Sequence, residues 1–352
     1  MNTRKIPTLS PDEKEPAPRR RRSRMGAQIA APLLGALSVL LAGALGIALL
    51  RMLYIDHQSK EKQAEAEASI AQLEAQLQTT LDTTIPIEDF KNEAARYNLS
   101  AEFIQLFFDD VIVYKDEGIV YEPIREDWPK NSYDWSLLDR EDGRMVYGDS
   151  SMVGIDVAKF QGEIDWAKVA ADGIDYAMIR LGFRGYGTGA IVTDPYYEAN
   201  IDGALENGLD VGVYFFSQAT TEAEAVEEAE YVLTQLGDRT ITMPVVFDME
   251  MVTEDPNARA NGLTPEERTA ITRAFCERIA EAGLQPMIYG NPTWLLSKIK
   301  LEQLQDYPVW LAQYYREPFY PYPFQMWQYS TTGQVDGISG NVDLNVCFST
   351  GW

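Results

Sequence analysis

The segment Met243-Pro-Val-Val-Phe-Asp-Met-Glu250 ends in two carboxylates, Asp248 and Glu250, two residues apart. Side chains alternate faces along an extended strand. Val246, Asp248 and Glu250 therefore share one face, and Val245, Phe247 and Met249 share the other. A strand apolar on one side and acid-tipped on the other suits a parallel barrel. Helices cover the outside of such a barrel, and the carboxyl ends of its strands open on the active site. Two acids in that position could divide acid and base work. An Asp-x-Glu at an exposed strand end is the bland alternative, so the other strands must decide.

The same alternation applied to Gly154–Ala158 turns Ile155 and Val157 outward and Asp156 inward. On Tyr176–Phe183 it leaves Arg180 opposite Ala177, Ile179 and Leu181. On Asp210–Ser217 it turns Gly212, Tyr214 and Phe216 inward, and on Asn341–Phe348 it turns Asn341, Asp343 and Asn345 inward. Asp156, Arg180, Tyr214, Asp248, Glu250 and Asp343 are thus expected to converge. Barrel interiors are mostly branched aliphatic, and unpaired buried charge costs several kcal/mol. Four acids around one Arg are poor core material, which points to a functional cluster. Crowded carboxylates raise one another's pKa, so one should keep its proton near neutral pH beside an ionised neighbour. That pairing suits glycoside hydrolysis, where one acid protonates the leaving oxygen and a carboxylate stabilises the developing cation. Tyr214, Tyr289, Trp310, Tyr314 and Trp327 fall near strand ends, and aromatic faces suit sugar rings.

Composition narrows the chemistry further. The chain of 352 residues has a single histidine, His57, far from these acids. That removes Ser-His-Asp, Cys-His and His-ligated zinc chemistry from the C-terminal region. Cys276 and Cys347 fall in a helical and a strand segment. They read as buried thiols rather than as a zinc site or a disulfide framework, with a bridge between them as the alternative. The formal net charge is −24, which argues against nucleic acid as a partner. Gly182-Phe-Arg-Gly-Tyr-Gly187 is followed by Thr-Gly rather than a helix, so no phosphate-binding loop is read there and no cofactor is expected.

Five regions follow along the chain. Residues 1–24 carry eight basic residues, four of them in Arg19–Arg22, against three acids, and read as a cytoplasmic tail. Met25–Leu50 holds no charged residue and lies between Arg24 and Arg51. As a helix it would span roughly 39 Å, enough for a ~30 Å hydrocarbon core. Residues 25–53 therefore read as a transmembrane helix, with the barrel outside the cell membrane by the positive-inside rule. A cleaved signal peptide ending near Ala42-Gly-Ala44 is the competing reading. Residues 54–84 read as a helical stalk, with Ile70, Leu73, Leu77 and Leu81 at helical spacing. Residues 85–150 read as a spacer or small accessory region, with hairpins around Lys115–Gly118 and Glu141–Gly143. From 151 to 352, eight short apolar strands alternate with helices only between the first six. The fold class expected is α/β, an irregular TIM-like (β/α)5(β)3 barrel.

Several ordered segments resemble glycoside hydrolase family 25, the bacterial and phage muramidases of the Chalaropsis lysozyme type. They are Gly154-Ile-Asp-Val-Ala-Lys-Phe-Gln-Gly162, Ile179-Arg-Leu-Gly182, Gly212-Val-Tyr-Phe-Phe-Ser217, Pro244-Val-Val-Phe-Asp-Met-Glu250, Trp310-Leu-Ala-Gln-Tyr314, Met326-Trp-Gln-Tyr329 and Gly340-Asn-Val-Asp343. The resemblance covers about residues 152–350. It implies hydrolysis of the β-1,4 bond between N-acetylmuramic acid and N-acetylglucosamine in peptidoglycan. It also implies that Glu250 is the general acid, that Asp248 assists the reacting acetamido group, and that Asp156 and Asp343 complete the acidic cluster. Tyr214, Arg180, Phe216, Tyr289, Gln313 and Trp327 are the substrate-binding residues expected around them. Ala158-Lys-Phe160 departs from relatives that often carry Ser with His or Trp, a change at the rim. Alternate residues on a strand lie about 6.5 Å apart, between the carboxyl separations of retaining and inverting enzymes. The resemblance implies the substrate-assisted retaining route. A chitin-type glycan hydrolase and a catalytically idle wall-binding protein are the alternative functions.

Overall fold

The computed structural model describes residues 87–348 apart from Asp142. The expected tail, membrane helix and stalk lie outside the described residues, within which no helix is long and apolar enough to cross a membrane. The chain forms two compact units that divide after Leu99. The described part of the first is the helix Ile87–Arg96 and the turn that ends it.

In the second unit eight strands close into a barrel: β1 Met152–Val157, β2 Tyr176–Arg184, β3 Asp210–Phe216, β4 Val245–Asp248, β5 Pro286–Gly290, β6 Val309–Ala312, β7 Met326–Gly333 and β8 Val342–Cys347. From β1 to β7 each strand pairs in parallel with the next. β8 runs antiparallel to both β7 and β1 and closes the ring. Four helices follow the first four strands: α1 Trp166–Ala171, α2 Tyr197–Glu206, α3 Glu222–Leu236 and α4 Pro265–Glu281. After β5 the expected helix is reduced to the π-helical turn Trp294–Lys298 and the short 3-10 turn Leu301–Gln303. The start of α4 follows from its sequence, because Thr264 and Glu267 cap each other reciprocally and Pro265 opens the helix.

Alternation divides the core into two layers. Outward residues such as Ile155, Ile179, Val213, Phe247 and Leu311 pack under the helices in one cluster. Inward residues Tyr176, Met178, Val246, Met287, Trp310, Met326 and Cys347 form a second cluster inside the barrel. Cys276 belongs to the outer layer and Cys347 to the inner, and both are free thiols. Gly154 makes room for this floor, since a Cβ there would meet the Tyr176 ring at 2.2 Å.

The expected hairpins form, Val111–Lys115 with Ile119–Pro123 and Leu138–Glu141 with Arg144–Tyr147. Residues 100–150 pack on the barrel where helices are lacking. Ile112, Tyr114 and Met145 join the outer apolar layer, with Trp128, Tyr133 and Trp135 against it. Tyr133 touches Phe324 and Phe348, Trp128 touches Tyr322, and Lys298 pairs with Asp116 at 2.6 Å. The segment thus supplies the outer cover that the short connections after β5, β6 and β7 cannot.

Candidate active site

The carboxyl ends of the parallel strands surround a pocket of about 330 Å³. Asp156, Asp248, Glu250 and Asp343 all line it, with Arg180, Tyr214, Phe216, Tyr289, Phe160, Trp310, Tyr314 and Gln328. Asp156 comes from β1 and Asp343 from β8, where antiparallel register sets them directly opposite each other. Asp248 is the last residue of β4, and Glu250 lies just beyond it. The backbone of Ser217, past the end of β3, donates to the Asp248 carbonyl at 2.7 Å.

Gln328 is the hub of the site, and sequence reasoning did not single it out. Its Nε2 donates to Asp156 at 2.8 Å and to Asp343 at 3.4 Å. Its Oε1 accepts from the hydroxyls of Tyr289 at 2.9 Å and Tyr314 at 2.7 Å. Asn345 gives Asp156 a second donor at 2.7 Å. The Trp310 indole donates to the Asn345 Oδ1 at 2.8 Å, which turns the amide nitrogen toward Asp156. The signal was available, because alternation on β7 places Gln328 inward between outward Trp327 and Tyr329.

The same alternation corrects two expectations. Trp327 faces the outer core and donates to the Gln313 carbonyl at 2.7 Å. The Gln313 side chain accepts from the Phe319 backbone at 2.7 Å. Neither lines the pocket, because each precedes or follows an inward residue by one position. Asn341, expected to point inward, is exposed and accepts from Gln334 at 2.9 Å.

Arg180 is not a free counter-charge for the four acids. It pairs with buried Asp194 at 2.6 and 2.8 Å, a residue the sequence reading passed over. Its guanidinium also sits 5.1 Å from the centre of the Phe160 ring, a ring that stands 75% exposed at the rim.

Burial without a dedicated cation raises every acid in the cluster. Asp248 is pushed well up by burial and by Glu250, and its Oδ1 has no hydrogen-bond partner. Glu250 is raised by burial, an effect offset in part by a hydrogen bond from Asp248. Asp343 is pushed up to about 8 by burial and by the charge of Asp156. Asp156 is raised by burial, while hydrogen bonds from Asn345, Gln328 and Asp343 favour its ionised form. Asp248 with Glu250 and Asp343 with Asp156 form two hydrogen-bonded carboxyl pairs, all four acids raised. Like charges held this close cannot all ionise together. Such a site can both protonate an oxygen and stabilise a cation.

The sequence pattern described as glycosyl hydrolases family 25 matches residues 155–338, which takes in three of the four acids. Lysozyme M1 of Streptomyces globisporus is 30% identical over 207 residues, 56% of this chain and 67% of that protein. The uncharacterized protein YegX of Escherichia coli K12 is 30% identical over 195 residues, 55% of this chain and 68% of that protein. The modular autolysin LytC of Streptococcus pneumoniae, solved in complex with a synthetic peptidoglycan ligand, superposes with a TM-score of 0.53 at 20% identity. That overlap covers 68% of this chain and 57% of the autolysin, and it bears on the fold alone.

Proposed function

This chain belongs to glycosyl hydrolases family 25 and is a glycoside hydrolase of the muramidase kind, and from that premise we propose how it cuts peptidoglycan. The bond cleaved is the β-1,4 link between N-acetylmuramic acid and N-acetylglucosamine. Glu250 takes over the proton of its hydrogen bond with Asp248 and delivers it to the leaving oxygen, which leaves Asp248 ionised. Asp248 orients the 2-acetamido group, whose carbonyl oxygen attacks the anomeric carbon as the glycosidic bond breaks. Asp156, whose two amide donors favour its charged form against burial, stabilises positive charge at the sugar, and Asp343 hydrogen-bonds to it from the opposite strand. Water then opens the resulting oxazolinium with Glu250 now acting as base, so configuration is retained. Tyr214, Phe216, Tyr289 and Arg180 bound the sugar on the other sides of the pocket.

The observation that carries this reading is four carboxylates, paired two by two, around one pocket. Glu250→Gln should lower the release of reducing sugar from purified wall by ~10²–10⁴-fold while leaving the thermal unfolding midpoint in place. Wild-type digestion should create new muramic acid reducing ends. New glucosamine ends, or full clearing by the variant, would overturn the assignment.

The same proposal extends to location. The charge-free run Met25–Leu50 behind Arg19–Arg22 supports a single-pass anchor with the barrel facing the wall. Fractionation of tagged cells should recover the full-length chain in the membrane, and a shortened chain in the medium would favour cleavage instead.

A further inference from the structure

A second cavity, of about 390 Å³, lies at the opposite end of the barrel from the acids. Gln285 just precedes β5, Val309 opens β6 and Gln325 just precedes β7, so its floor is the amino ends of these strands. Its walls are aromatic: Trp128 from the covering segment, with Tyr307, Tyr320 and Tyr322 from the loops. The remaining polar groups include the exposed side chains of Gln305 and Asp306. Tyr320 and Tyr322 are 1% and 2% exposed, so the rings open to the cavity are those of half-buried Trp128 and Tyr307. Two cations flank the aromatic wall: Arg125, 4.7 Å from the Trp128 ring and paired with Asp127 at 2.8 Å, and Lys130, 4.9 Å from the Tyr322 ring.

We propose that this cavity is a second, non-catalytic binding site for an N-acetylated wall glycan, formed jointly by residues 100–150 and the loops before β6 and β7. The inference rests on the peptidoglycan reading for its choice of glycan. The half-buried rings of Trp128 and Tyr307 beside the exposed polar side chains of Gln305 and Asp306 match the alternating apolar and polar surfaces of a hexosamine. The cavity is slightly larger than the catalytic pocket, a size that admits sugar units. Lys130 suits the carboxylate of muramic acid, which the strongly acidic chain would otherwise repel. No peptide-binding groove is needed to account for these features. A strand of a polymeric substrate held here would keep the enzyme on the wall between cleavages and raise the local concentration at the acids.

The probe is a tetrasaccharide of alternating N-acetylglucosamine and N-acetylmuramic acid, titrated calorimetrically into full-length Glu250→Gln protein in detergent. Two binding events are expected. Adding Trp128→Ala, or the exposed double change Gln305→Ala with Asp306→Ala, should weaken one of them at least tenfold and leave the other. In the Glu250-intact protein the same changes should slow clearing of insoluble wall about three- to tenfold, with hydrolysis of the soluble tetrasaccharide unchanged. A single event untouched by either set of changes would overturn the proposal, as would capture of stem peptide instead of glycan by the Trp128-sensitive site. If wild type leaves the tetrasaccharide intact while that site still saturates, the muramidase reading fails and the second site stands.

Discussion

Gln328 is the side chain through which the acids and tyrosines of the pocket feel one another. It is buried, and both ends of its amide are occupied, by Asp156 and Asp343 on one side and by Tyr289 and Tyr314 on the other. Leucine at this position would keep the volume but strand several buried polar groups, at about 1–3 kcal/mol for each left unsatisfied. Gln328→Leu should therefore lower kcat at least tenfold and lower the urea midpoint, whereas Gln328→Glu should shift the pH profile by adding a fifth carboxyl. Asp343 supports a second expectation at this scale. Its folded-state pKa of about 8 lies above the ordinary 3.8. Its contribution to stability is therefore complete below about pH 4 and is lost as pH rises toward 8. Wild type should show a falling thermal midpoint between pH 5 and pH 8, and Asp343→Asn should flatten that slope. An unchanged slope would mean that Asp343 ionises freely. At this scale the four acids, Tyr214, Phe216 and Arg180 were legible from strand alternation, because period two is a local property of the chain, and Tyr289 from its place near a strand end. Asp194 was not, because its partner Arg180 lies on another element and only folding brings them together.

Asp248 and Glu250 depend on elements that never touch substrate. The backbone of Ser217 holds the Asp248 carbonyl, and the Ser217 hydroxyl donates to Glu228 on α3 at 2.6 Å. Glu228 is fully buried and binds Arg184 of β2 at 2.6 Å, so β2, β3 and α3 are tied behind the acid strand. Burial pushes Glu228 up to about 7 in spite of that guanidinium. Removing one member of a buried ion pair leaves an uncompensated charge, which costs about 3–5 kcal/mol. Glu228→Ala should lower unfolding free energy by about 3 kcal/mol in urea titration, discounted because exposed Glu227 still reaches Arg184. Glu228→Gln keeps the contact with Ser217 and should retain more activity than Glu228→Ala at equal KM. Equal activity of the two variants would mean that this tie does not position the acids. Strand and helix bounds were readable to within a few residues, as with α4 and its capping box. The exception is the last third of the barrel, where β8 reverses direction because too little chain separates it from β7 for a crossover.

The whole molecule gives residues 100–150 a structural duty. They cover outer strand faces that have no helix, with Tyr133 and Trp135 packed on Phe324 and Phe348. A chain beginning at Ser151 would expose that apolar surface, since each large buried side chain contributes about 1.5–3 kcal/mol. Residues 151–352 alone should aggregate or unfold at markedly lower temperature than residues 100–352, as read by size-exclusion chromatography and thermal unfolding. Equal midpoints would remove the covering segment from the stability of the barrel.

What the sequence determined by itself was periodic and local: eight strands, the apolar face of five of them, the acids at their carboxyl ends and the start of α4. Those follow from side-chain alternation and capping, which operate over a few residues. The tertiary structure decided the rest. Antiparallel closure of β8 set Asp343 opposite Asp156, and burial without a free cation paired the carboxyls. The sequence pointed to Trp327 and Gln313, yet the inward turn of β7 gave the centre of the site to Gln328. Pairing across strands, desolvation and the cover supplied by distant segments depend on which elements meet in space, and no local spacing encodes that.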